Sequence, residues 1–242
     1  MDFISYNVSF RKTSLVDYPG KVSAVIFFPH CNLQCPWCQN GDLIKAKNTS
    51  LISLDNVLKQ IQKRKNILGG VVLTGGEPTL SPVLSDVIAF IKELDLLVKL
   101  DTNGTHPAIL NQLLQNQRTT PSYIACDLKI SLDKYYLLKN LKTQTIQNDY
   151  DIEKNIKIST DIIKSSNIEH EFRSLILPEF YFTKNDILNL ASLVGDSRWV
   201  FRAFVPGTCL DSLWNQYDKT LTQKINEYVE YAKSLGKNAL SL

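Results

Sequence analysis

Short apolar runs alternate along the chain with segments whose apolar residues recur every three or four positions. Val22–Phe28 is the first strand candidate. Leu54, Val57, Leu58 and Ile61 then follow at helical spacing, so Ser53 to about Lys65 reads as a helix capped by Ser53. Val71–Thr74 is a short buried strand. Ser81-Pro82 reads as a cap and first-turn proline for a helix carrying Leu84, Val87, Ile88 and Ile91 on one face. Leu96–Asp101 is the third strand, and Pro107 opens a helix with Leu110, Leu113 and Leu114. Tyr123–Leu128 is the fourth strand. A polar stretch from Lys129 to about Asp149 has no clear period, and Tyr150 to Lys164 reads as a helix. Glu169–Leu177 and Trp199–Val205 are the fifth and sixth strands, stopped by Pro178 and Pro206. Thr183 caps a helix through Leu193, and Leu221 to Leu235 is the last helix, ended by Gly236.

Six strand–helix units in series predict an α/β fold with a parallel sheet and right-handed crossovers. Strand number and length suit an incomplete (β/α)6 barrel with outer helices. The 242 residues are expected to form one domain, with a core of about 21–206 and a C-terminal helix of about 219–235. In such sheets functional residues gather at the carboxyl ends of strands. Cys31, Gly75-Gly76-Glu77-Pro78, Asp101-Thr102-Asn103-Gly104 and Asp127-Leu128-Lys129 all follow or end predicted strands.

Composition narrows the class. A net charge of +3 gives no case for nucleic acid, which calls for a concentrated basic face. Lys63-Arg64-Lys65 reads as a solvated helix end, with a docking site for an acidic electron donor as the alternative. The N-terminus lacks a secretory pattern and no apolar run approaches a membrane span, so a soluble cytoplasmic protein is expected. Five cysteines, three of them tightly clustered, argue against a disulfide framework and for a reducing compartment.

Those three are Cys31, Cys35 and Cys38, spaced C-x3-C-x2-C directly after the first strand. Three thiolates on one loop can hold three corners of a cubic iron–sulfur cluster, which normally takes four cysteines. Cys126 and Cys209 are remote in sequence, so one iron would stay open to a small ligand. A structural zinc site is the alternative, with His30 as its fourth ligand, although adjacency to Cys31 makes chelation by both strained.

The loop, with Trp37 before its last cysteine, resembles that of radical S-adenosylmethionine (radical SAM) enzymes. The resemblance implies the incomplete barrel, a [4Fe–4S] cluster on Cys31, Cys35 and Cys38, and S-adenosylmethionine on the open iron. It implies reductive cleavage of that cofactor to a 5′-deoxyadenosyl radical. Gly75-Gly76-Glu77 resembles the family's GGE motif, whose backbone receives the methionine amino group. Trp37 matches a position near the adenine. Asp101 and Asn103 are expected to contact ribose or methionine, or else to form a simple Asx turn. Asp127 and Lys129 point to one face of a strand; Lys129 either receives the cofactor carboxylate or only pairs with the aspartate. Arg173, mid-strand, is either paired with a carboxylate such as Asp127 or touches the cofactor. Cys126 reads as a small buried hydrophobe.

Lys12-Thr13-Ser14-Leu15-Val16-Asp17-Tyr18-Pro19-Gly20-Lys21 resembles the opening of anaerobic ribonucleoside-triphosphate reductase activating proteins, which are glycyl-radical enzyme activases. That resemblance implies a glycyl-radical enzyme as partner and a flavodoxin or ferredoxin-type electron donor. The chain departs from the pattern at His30, where the family usually has glycine, and at Gln39, where it often has histidine. Relatives of pyruvate formate-lyase activase and of 7-carboxy-7-deazaguanine synthase, which acts on a small molecule, share the single-cluster plan and remain alternatives.

Overall fold

The computed structural model describes residues 3–44, 51–138, 151–178 and 181–242. In chain order its elements are β1 Asn7–Ser14, β2 Ser23–Phe28, α1 Gly41–Ile44, β3 Ile52–Ser53, α2 Leu54–Lys63, β4 Gly70–Gly75, α3 Leu84–Glu93, β5 Leu97–Thr102, α4 Pro107–Leu114 and β6 Tyr123–Asp127. They continue as α5 Ile152–Ser165, β7 Glu169–Ile176, α6 Lys184–Val194, β8 Arg198–Ala203, α7 Thr222–Ser234 and β9 Ala239–Ser241. Short 3-10 segments occupy Pro78–Leu80, Leu132–Leu138 and Ser212–Gln216. Contacts divide the chain into two compact units. The first takes in 1–31, 42–102 and 108–124; the second takes in 32–41, 103–107 and 125–242.

In the first unit the strands run in the order β3-β1-β2-β4-β5. β2, β4 and β5 are parallel, with Val25 opposite Val72 and Val72 opposite Lys99. β2 and β4 are buried along most of their length on both faces, as parallel strands covered by helices are. α2 lays Leu54, Val57, Leu58 and Ile61 into the core, and α3 adds Leu84, Val87, Ile88 and Ile91. Ser53 caps α2 as expected, accepting the Asn56 amide at 3.3 Å.

The second unit holds β7, β8 and β9 as parallel neighbours. Its core includes Phe172, Trp199, Phe201, Ile187, Leu190 and Tyr228. Thr183 caps α6 through a reciprocal box: its amide and hydroxyl both donate to Asp186, each at 2.8 Å. Asp186 is fully buried and also accepts from Lys134 Nζ at 2.8 Å and the Ser131 amide at 3.3 Å.

The six predicted strands are β2, β4, β5, β6, β7 and β8, with ends shifted by a residue or two. Four expectations need correction. β1 was missed; it pairs antiparallel with β2 and with β3. β9 was missed too, being only three residues long. The third helix does not start at Ser81-Pro82, because Pro78–Leu80 forms its own 3-10 turn on Glu77 and Ser81 ends that turn. α3 therefore begins at Leu84. Arg64 is not merely solvated: it donates to Thr13 Oγ1 at 2.7 Å and to the Lys12 carbonyl. The start of the expected Tyr150–Lys164 helix, and most of the polar stretch before it, lie outside the described residues. Among the described residues no helix is long and apolar enough to cross a membrane.

Candidate active site

Of the expected site residues, Cys31, Gly75, Gly76, Glu77 and Asp101 lie in the first unit. β2 and β4 run in parallel register to Phe28 opposite Gly75, so the turn after β4 lies against the exit of β2. The Gly76 amide donates to the Phe28 carbonyl and the Glu77 amide to the His30 carbonyl, both at 2.8 Å. Gly75 has φ +118°, and an added Cβ there would stand 2.5 Å from Phe28 backbone atoms. A Cβ on Gly76 would stand 1.8 Å from the His30 carbonyl oxygen. Both glycines are thus demanded by close backbone approach. His30 itself has φ +67°, a left-handed conformation that accounts for glycine in the resembled pattern.

Glu77 is 1 % exposed. Its Oε1 accepts from the Thr79 amide at 3.1 Å, Thr79 Oγ1 at 2.6 Å and Thr102 Oγ1 at 2.8 Å. This carboxylate locks the turn after β4 to the end of β5. Asp101 is held by the ammonium of Lys99, a lysine 1 % exposed on the same strand face. Lys99 also lies over the Tyr123 ring, 5.9 Å from its centroid.

Cys35, Trp37, Cys38, Asn103, Asp127, Lys129 and Arg173 lie in the second unit. Asp127 sits at the end of β6 and binds two cations: Arg173 Nε at 2.7 Å and Lys129 Nζ at 2.6 Å. Burial disfavours the charged carboxylate, but Arg173 and then Lys129 overcome that and hold its pKa well below the usual range. For Lys129, burial is likewise outweighed, first by Asp127 and then by Cys35, so the ammonium stays protonated. Cys38 has its pKa raised, chiefly by burial, while the Asn40 amide and Lys129 act in the opposite direction. Lys129 therefore lies within electrostatic reach of both Cys35 and Cys38. The pairing foreseen for Arg173 and Asp127 is present.

The cysteine loop is fastened by groups that periodicity could not show. The Gln34 amide donates to the Leu138 carbonyl at 2.8 Å, and Tyr135 Oη, fully buried, accepts the Lys129 amide at 2.9 Å. Asn103 Nδ2 donates to Asn32 Oδ1 at 3.0 Å, and Asn32 Nδ2 to Thr105 Oγ1 at 2.8 Å. Asn103 Oδ1 takes the Thr105 amide at 3.0 Å, so the Asx turn belongs to Asn103. On the far side, the Leu210 amide donates to the Cys38 carbonyl at 2.8 Å and the Asp211 amide to the Pro36 carbonyl at 3.0 Å. Trp37 is buried and packs on Trp214, centroids 5.0 Å apart, within a cluster including Tyr181, Phe204 and Tyr217. Cys126 is fully buried, and its Sγ lies 3.0 Å from where a Cβ on Gly104 would stand. The signals for Thr79, Thr102 and Thr105 were present as the threonines inside and beside the GGE and Asp101–Gly104 motifs.

The model of the radical SAM superfamily matches residues 25–179. The chain belongs to the radical SAM superfamily. It is 30% identical over 93% of its length, and 89% of the relative's, to a provisionally named glycyl-radical enzyme activating enzyme of Methanocaldococcus jannaschii. It is 26% identical to a 7-carboxy-7-deazaguanine synthase of Aquifex aeolicus, over 64% of this chain and 66% of that one. A crystal structure of a radical SAM methyltransferase from Sphaerobacter thermophilus superposes with a TM-score of 0.70 at 12% identity, covering 98% of this chain and 77% of that chain. The fold class is therefore the one expected, a mostly parallel sheet alternating with helices.

As a radical SAM enzyme the protein uses a [4Fe–4S] cluster and S-adenosylmethionine. The donor chemistry of the loop fits the cluster. None of the five cysteines is in a disulfide, and the half-buried ammonium of Lys129 lies within electrostatic reach of Cys35 and Cys38, where it would offset thiolate charge. Among the described residues no three His, Cys, Asp or Glu side chains converge closely enough to grip a single metal ion. A cluster does not ask for such convergence, since each thiolate takes a different iron.

Proposed function

We propose that this protein generates a glycyl radical on a partner enzyme, the anaerobic ribonucleoside-triphosphate reductase of the same organism. The observation that carries the reading is the likeness to a glycyl-radical enzyme activating enzyme over 93% of the chain. The 7-carboxy-7-deazaguanine synthase likeness covers a smaller share of the chain.

In this reading Cys31, Cys35 and Cys38 hold the cluster. A cluster held there would supply the electron for reductive cleavage of S-adenosylmethionine, the chemistry by which hydrogen would be taken from a glycine Cα. A flavodoxin or ferredoxin-type protein supplies that electron. The chain's own residues bind and orient. Gly75 and Gly76 let backbone come close to the methionine moiety, and Glu77, locked by Thr79 and Thr102, keeps that turn rigid. Asp101 offers a carboxylate fixed by Lys99, and Asn103 bonds to Asn32 of the cysteine loop. Lys129, aimed by Asp127, binds the cofactor carboxylate; Arg173 keeps Asp127 charged and in place. Trp37, wedged against Trp214, presents the loop backbone to the adenine.

The test separates partner from small molecule. Anaerobically purified protein should carry about four iron and four sulfide per chain. Release of 5′-deoxyadenosine should rise when the reductase is added and not when a pterin substrate is added. Turnover of the pterin with an inert reductase would overturn the proposal and leave the family assignment standing.

A further inference from the structure

β8 carries Arg202 one residue before its end at Ala203. Pairing with β7 sets Val200 beside Arg173 and Arg202 beside Leu175. Side chains alternate along strands, so Arg202 shares the face of Arg173, the arginine bonded to Asp127. The opposite face holds Ser174, Trp199 and Phe201, joined by Trp199 Nε1 donating to Ser174 Oγ at 3.1 Å. The segment after β8 returns to the cysteine loop, where Gln39 Nε2 donates to the Val205 carbonyl at 2.7 Å and Leu210 reaches Cys38. Arg202 thus stands at the cysteine-loop end of the second unit.

Arg198 lies on this face too, with its Nε 3.8 Å from Glu171 Oε2. The other two arginines differ in one respect. Arg173 is neutralised by Asp127. Arg202 Nε is buried without a hydrogen-bond partner, and among the described residues no carboxylate forms an ion pair with Arg202. A buried donor left unmet is unfavourable, and a guanidinium cannot escape by losing its proton. The strand fixes the face from which this side chain leaves. What suits it is a ligand that brings an oxygen acceptor. Two apolar side chains on the segment that follows β8 are exposed: Val205 at 42%, and Leu213, next to the Trp214 that packs on Phe204, at 63%.

We infer that Arg202 binds a main-chain carbonyl or carboxylate oxygen of the glycine-bearing segment of the polypeptide substrate, with Val205 and Leu213 covering its apolar flank. The inference rests on the activase reading. S-adenosylmethionine offers the same oxygen chemistry, but the proposed function gives its carboxylate to Lys129, and a small polar cofactor has no use for exposed apolar side chains.

The probe is a synthetic peptide spanning the glycine loop of the reductase, given to the reconstituted holoenzyme with S-adenosylmethionine. Arg202→Ala should raise the KM for the peptide about tenfold or more, the effect of losing one charge-assisted hydrogen bond. Cofactor Kd and iron content should stay within about twofold of the parent, since the inference gives Arg202 a contact to the peptide alone. Arg202→Lys should recover part of the loss, and Arg202→Gln serves if the alanine variant does not fold. An unchanged peptide KM, or a parallel fall in cofactor affinity, would overturn the inference while the activase reading survives. A parent enzyme that cleaves the cofactor yet ignores the peptide would instead overturn the activase reading, and this inference with it.

Discussion

Replacing Gly76 with alanine asks whether the turn after β4 fixes the entry to the cysteine loop. The new Cβ would stand 1.8 Å from the His30 carbonyl oxygen and 2.5 Å from its carbon. Favourable contact lies near about 3.5 Å, so one backbone segment must move by more than an ångström. Movement breaks the bonds from Glu77 to His30 and from Gly76 to Phe28, each 2.8 Å long. An unmet buried amide or carbonyl costs roughly 1–3 kcal/mol. His30 is exposed and its carbonyl can recover some water, which places the total at roughly 2–4 kcal/mol. Against a domain stability of about 5–15 kcal/mol, that is a large fraction. Cys31 follows His30 directly, so iron uptake should fall with stability. Urea unfolding of the apoprotein and iron content after reconstitution measure the two effects. A variant within about 0.5 kcal/mol of the parent and fully loaded with iron would refute the reasoning. The companion His30→Gly should do no harm. Relief of a left-handed side chain, about 1–2 kcal/mol, outweighs the entropy cost of glycine, about 0.5–1 kcal/mol.

Lys129→Ala should keep the cluster but weaken S-adenosylmethionine binding by roughly ten- to a hundredfold, read by equilibrium dialysis; unchanged affinity would return Lys129 to a simple partner of Asp127. Asp186 has a lowered pKa: burial opposes its charge, but bonds from Lys134, Ser131 and Thr183 prevail. A carboxylate with a depressed folded pKa adds stability that is full above its unfolded value of about 3.9 and is lost as pH falls through the folded value. Urea midpoints between pH 2 and 6 should therefore decline in the parent, and the decline should be shallower in Asp186→Asn; parallel curves would contradict this.

The strand–helix rhythm was legible because β2, β4, β5, β7 and β8 are buried runs and α2, α3 and α6 are amphipathic. What escaped lacked that signal. β1 mixes charged and apolar residues, with only Val8 and Ser14 buried along it. The 3-10 segment Leu132–Leu138 buries Tyr135 and Leu138 without a 3.6-residue period. The helix expected at Ser81-Pro82 begins later because Glu77 spends its carboxylate on a preceding turn. At the site, strand-end motifs marked most of the residues discussed, yet not what holds them. Thr102 on Glu77, Asn32 on Asn103 and Leu210 and Asp211 on Cys38 and Pro36 are bonds between distant positions, set by tertiary packing. Arg202 carried no local mark, since one arginine in a strand looks like any other until its partner is found missing.

The most direct measurement is electron paramagnetic resonance on the reductase. Reduced, reconstituted protein is mixed anaerobically with S-adenosylmethionine and the anaerobic ribonucleoside-triphosphate reductase of the same organism. The account predicts a glycine-centred doublet on the reductase, 5′-deoxyadenosine formed in proportion, and no doublet when Cys35→Ala replaces the parent protein. A reductase that stays silent while the parent protein cleaves S-adenosylmethionine, or a full doublet from Cys35→Ala, would contradict it.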